Sequence, residues 1–149
     1  MRRWPIFMNH LSLLEAALRC AALTQLGIAL LNLSLVRLLD WKADLARLPL
    51  LLREVFQVHL IFISITVATF ALLTWRFARE IATAVEPLAV WLAVAIGLFW
   101  AVRALMQWTT YSHEHWRGDH ARTALHWLLF LGYGAMAGIY LTAALGRRA

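Results

Sequence analysis

The stretch Val55–Trp75, VFQVHLIFISITVATFALLTW, decides the fold: 21 residues pass without an aspartate, glutamate, lysine or arginine. At 1.5 Å per residue such a helix is about 30 Å long, the thickness of a bilayer's hydrocarbon core. Three more apolar runs follow the same pattern, Cys20–Val36, Leu88–Trp108 and Ala124–Leu145. The first is short but extends upstream through Leu11–Leu18. Hydrophobic residues make up 62% of the 149 and charged residues 15%, against about 25% charged in a soluble domain. Four successive helices this apolar would leave no face for water. The sequence therefore predicts an all-α integral membrane protein, a four-helix up-down-up-down transmembrane bundle. It forms a single domain over 1–149, with approximate spans 11–36, 54–76, 87–109 and 122–145.

The connections support that topology because short links favour antiparallel neighbours. Leu38–Arg53 mixes polar and apolar residues, Arg76–Pro87 carries four charges, and Thr109–Thr123 is a histidine-rich loop. Pro87 suits the first turn of the third span. No solenoid repeat or low-complexity tract interrupts the pattern. The N-terminal segment is broken by Asn9, His10, Ser12, Glu15 and Arg19. It lacks the clean apolar stretch of a cleaved signal, so the first helix is expected to act as the insertion signal.

The net charge is +6, which in a soluble protein would invite a nucleic-acid partner. Here the basic residues gather at span ends, where lipid headgroups and topology explain them, and no nucleic acid is expected. The expected partners are the bilayer, other membrane subunits or further copies of the chain. With both termini on one face, that face holds Arg2, Arg3, Arg76, Arg79, Arg147 and Arg148. The opposite face holds Arg37, Lys42, Arg47, Arg53, Arg117 and Arg122. The positive-inside rule is thus balanced, and only Arg19 tips a cell-membrane protein toward cytoplasmic termini. Seven tryptophans fall near these two boundaries, as indoles at headgroup level do; Trp100 alone should lie deep. The lone Cys20 cannot form an intrachain disulfide and reads as a small packing residue.

Chemistry collects near the opposite face. His59 lies roughly 7 Å below Glu54, and His126 sits at a similar depth below Arg122. Gln107 is level with them on the third span, and Arg103 shares its face one turn deeper. An intramembrane arginine needs a carboxylate, carbonyls or an anionic ligand, unless it snorkels to the interface. Glu54, Glu114 and a lipid phosphate are the candidates.

The histidines admit three readings. They are separate core residues hydrogen-bonded to neighbouring helices. Or His59 and His126 are the two axial ligands of a b-type haem, with Arg103 available to a propionate. Or one of them joins His113, His115, His120, Glu114 or Asp119 around a metal ion. His113-Glu114-His115 is not the HExxH pattern, and on a helix its histidines would diverge by about 200°. Gly134 and Gly138 form a GxxxG, the spacing that lets helix backbones approach closely.

Two functions follow, with no recognisable catalytic residue. The leading one is a non-catalytic accessory or scaffold subunit of a membrane complex. The other is a redox protein that carries haem b or a metal through His59 and His126. A third, an oligomeric or proton-coupled transporter, would rest on Glu15 in the first helix.

Overall fold

The computed structural model describes residues 4–110 and 120–146, and every element it describes is a helix. In chain order these are α1 (Trp4–Leu38), α2 (Lys42–Ala46), α3 (Leu50–Thr83), α4 (Pro87–Thr109) and α5 (His120–Leu145). Four segments are long and apolar enough to cross a membrane: His10–Leu38, Leu50–Thr83, Pro87–Thr109 and Thr123–Leu145. The chain is all-α, with the make-up of a four-helix membrane bundle and of a multi-pass membrane protein. At most 33% of the most apolar window of any span is buried inside the chain. The remaining leucine- and valine-rich surface matches hydrocarbon, where helices alone satisfy every backbone group internally.

Hydroxyl groups on these spans follow the same rule. Thr24, Ser34, Ser64, Thr66, Thr69, Thr109 and Thr142 each donate to the carbonyl four residues earlier, at 2.7–3.2 Å. A hydroxyl bonded to its own helix needs no partner in lipid.

The contacts divide the chain into two compact units, Met1–Leu18 with Phe77–Ala149, and Arg19–Arg76. In the second unit, the later part of α1 and the earlier part of α3 run antiparallel. Arg19 lies 5.4 Å from the Trp75 ring, and Trp41 meets Phe56 edge-on at 6.4 Å. Cys20 is exposed on α1 and does not serve as packing.

In the first unit α4 and α5 are antiparallel, with Gln107 opposite His126, Trp100 opposite Tyr133 and Gly97 against Tyr140 and Leu141. Buried alanines recur on both helices, Ala89, Ala93 and Ala104 on α4 and Ala137, Ala143 and Ala144 on α5. The close approach occurs at Gly97, where an added Cβ would stand 2.9 Å from Leu141 Cδ2 and 3.2 Å from Tyr140 Cβ. Gly134 and Gly138 lie elsewhere: both are exposed, with nothing within 4 Å of an added Cβ.

α3 exceeds the apolar run that announced it. Its charged continuation Arg76–Thr83, expected as loop, is helical beyond a break at Phe77 (φ −112°, ψ 21°). The physical reason is a buried stripe: Ala78, Ile81 and Ala82 leave the charges outward. The turn after it is tight, because Ala84 takes a left-handed backbone at φ 52°, while Pro87 opens α4 at its first turn.

Two stability predictions follow. An L-residue in the left-handed region costs roughly 1–2 kcal/mol, so Ala84→Gly should raise the thermal midpoint in detergent; an unchanged or lower midpoint would contradict the strain. Gly97→Val should destabilise by about 1–3 kcal/mol through overpacking, whereas Gly138→Ala should be neutral by the same assay. Equal effects would remove Gly97 from the contact.

Candidate functional site

Near the end of α4 a polar chain crosses from α4 to α5. Arg103 Nη1 donates to Gln107 Oε1 at 3.1 Å, and Gln107 Nε2 lies 3.1 Å from His126 Nδ1. Gln107 is buried, while Arg103 and His126 are half-buried. Side chains on a helix tilt toward its N-terminus, yet Arg103 reaches its partner one turn toward the C-terminal end of α4. The guanidinium thereby rises toward the span end, as a snorkelling arginine does.

Donor and acceptor chemistry fixes the roles along this chain. Arginine only donates, so the Gln107 carbonyl oxygen must face Arg103. The amide NH₂ then faces His126, and Nδ1 must accept. A neutral His126 ring therefore carries its proton on Nε2.

Aromatic rings enclose the chain on two sides. The Arg103 guanidinium carbon lies 4.6 Å from the centroid of the Tyr133 ring, a cation–π contact worth about 2 kcal/mol when desolvated. Tyr133 stacks on Trp100 at 5.4 Å with planes 19° apart. Trp100 is 1% exposed, and its indole nitrogen is buried with no hydrogen-bond partner among the described residues. Toward the end of α4, Trp108, Trp127 and Phe130 pack mutually at 5.5–5.9 Å, and the His126 ring meets Trp127 edge-on at 6.0 Å.

His59 belongs to the second unit and is exposed on α3. Its Nδ1 lies 2.9 Å from the Val55 carbonyl oxygen. A carbonyl only accepts, so this ring donates from Nδ1 and, when neutral, keeps its lone pair on Nε2. As neutral rings the two histidines therefore carry opposite tautomers.

Other candidate residues scatter. Glu54 is exposed on α3, Glu15 is half-buried on α1, and His120 is exposed at the start of α5. His113, Glu114, His115 and Asp119 lie outside the described residues. Among the described residues, no three of His, Cys, Asp and Glu come together. The seat of Arg103 on Tyr133 is what the sequence reading missed; a cation and an aromatic at neighbouring depths on adjacent spans is the signal that points to it.

Searches against protein-family models, curated proteins and solved structures returned no match.

Gln107 is the hinge of the polar chain, so its removal strands a donor on one side and an acceptor on the other. Gln107→Leu should destabilise by about 1–3 kcal/mol. A double-mutant cycle with His126→Phe should give a coupling near 0.6 kcal/mol and below about 1.7, the range for hydrogen bonds between membrane helices. Strict additivity would dissolve the proposed bond.

Proposed function

We propose that this chain is a non-catalytic accessory or scaffold subunit of a membrane complex, set in the cell membrane with its termini toward the cytoplasm. The observation that supports the role is the polar chain Arg103–Gln107–His126. Arg103, Gln107 and His126 meet one another and the Tyr133 face across α4 and α5, which is how interhelical polar glue acts. A site built to act on a substrate would instead turn such groups into a cavity.

The surface supports the same reading. His59 leaves one imidazole nitrogen outward from α3, and Gly134 and Gly138 leave an open strip on α5. Polar atoms within a span are costly against lipid, so a neighbouring subunit with a hydrogen-bond donor would relieve His59. Extraction of the tagged chain from native membranes in mild detergent tests this directly. A discrete complex with a stoichiometric second membrane protein is expected, and a chain that runs alone would overturn the proposal.

One observation favours a second reading, haem b or metal ligation through the histidines. His59 holds its Nδ1–H on a backbone carbonyl, the arrangement that orients many metal-ligating imidazoles. His126 is set the other way. Ligation through its Nε2 would require the Gln107 amide to turn over and surrender Arg103. Oxidised and dithionite-reduced optical spectra of haem-replete protein decide the haem form of this reading. A Soret band lost in both His59→Ala and His126→Ala would establish it, and a flat spectrum from folded protein would dismiss it.

A further inference from the structure

A cavity of about 250 Å³ opens where α1 gives way to α2 and α3, lined by Val36, Lys42, Leu45, Ala46, Arg53 and Gln57. All six residues belong to the second unit. Its lining has two parts. Lys42, Arg53 and Gln57 supply an ammonium, a guanidinium and an amide, while Val36, Leu45 and Ala46 supply an apolar wall. No carboxylate lines it. Asp44, the nearest acid in sequence on α2, faces Arg47 at 3.8 Å, with both side chains largely exposed. Among the described residues, neither Lys42 nor Arg53 has a carboxylate within ion-pair distance. Trp41, next in sequence to Lys42, meets Phe56 edge-on and so joins the start of α2 to α3.

We propose that this cavity binds a negatively charged phosphate group, with the apolar wall receiving the carbon skeleton attached to it. The chemistry follows from the donors. The Arg53 guanidinium can present two parallel N–H groups to phosphate oxygens, and Lys42 adds a compact charge with three more. The Gln57 amide contributes a neutral donor to a remaining phosphate or ester oxygen. Two cations in a concave, partly apolar wall attract an anion more strongly than the same charges spread on a flat surface.

Placement supports the class of ligand. The cavity lies between the end of one span and the start of the next, with Trp41 beside it, the level at which indoles meet headgroups. Lipid headgroups of both leaflets carry phosphate, the group that a guanidinium and an ammonium are suited to hold. A free phosphate would satisfy the same donors but leave Val36, Leu45 and Ala46 without a partner.

The test uses the full chain in mild detergent. Retention of dioctanoyl phosphatidylglycerol and dioctanoyl phosphatidylcholine is read by native mass spectrometry, and binding of inorganic phosphate by calorimetry. Phosphatidylglycerol is expected to bind saturably and in preference to phosphatidylcholine. Its affinity should fall roughly thirtyfold in K42Q/R53Q, the loss of two interfacial cations. A46W, which fills the cavity and keeps both charges, should show a comparable loss. Inorganic phosphate that binds as tightly as the lipid, with the same sensitivity to both variants, would uphold the phosphate site and assign it a free ligand. Equal retention of the two lipids without phosphate binding, or unchanged binding in either variant, would overturn the proposal. So would the failure of both anions to bind. Both variants change surface or cavity-lining residues, and an unaltered thermal midpoint shows that a loss is not unfolding.

Discussion

Hydrocarbon offers a polar atom no partner, and the rest of this molecule follows from that constraint. Backbone groups are consumed within long helices, and the serine and threonine hydroxyls return to the carbonyls of their own turns. Arg103 is the hard case. A guanidinium has five donors and cannot lose its charge, so no local turn can absorb it. It is accommodated by three means at once: ascent toward the span end, an amide acceptor on its own helix, and the negative face of an aromatic ring on the next. The last two tie the polar problem to helix packing, because Tyr133 is itself held by Trp100 across the α4–α5 contact.

That arrangement propagates direction. An obligate donor at one end forces the glutamine amide into one orientation, and the amide forces the histidine tautomer. The order would collapse with a lysine-free apolar replacement at Arg103, since the amide could then present either end to His126. His59 shows the complementary case, where a backbone carbonyl sets the ring the other way. Two histidines that look equivalent along the chain are therefore distinct chemically, one with its donor and the other with its lone pair at Nε2. A symmetric role for them, such as paired axial ligation, carries the added cost of rearranging Gln107.

The fold was legible from sequence because apolar length is a property of each segment alone. Val55–Trp75 needs no neighbour to announce a span. What remained hidden depends on pairs. Depth arguments set Gln107 level with His59 and His126 and Arg103 one turn deeper, but which side of α5 faces α4 is set by interdigitation, so depth alone does not single out Tyr133 as the seat of the guanidinium. The glycines make the same point. GxxxG is a statement about one helix, and Gly134 and Gly138 meet open space, while the single Gly97 makes the close approach because Leu141 happens to oppose it. The helical course of Arg76–Thr83 was obscured for another reason: its charges end a hydrophobic window but do not end a helix, since Ala78, Ile81 and Ala82 still bury a stripe.

Charge placement links the two units functionally without reference to their arrangement. Arg103 is a cation that meets an amide oxygen and a ring of its own unit, whereas Lys42 and Arg53 are cations beside a cavity with no acid in its lining. The first pattern is that of packing, because an amide and a ring hold the guanidinium in one place and leave it no reason to exchange. The second is that of recognition, because the donors gain most when an anion arrives. A subunit of the kind proposed would use both: a helix pair to present to its neighbours, and a contact with its surroundings that fixes its height in the bilayer. A headgroup held between α1 and α3 would supply that anchor at the level where the chain re-enters the membrane. The apolar part of its lining, Val36, Leu45 and Ala46, would be the natural complement.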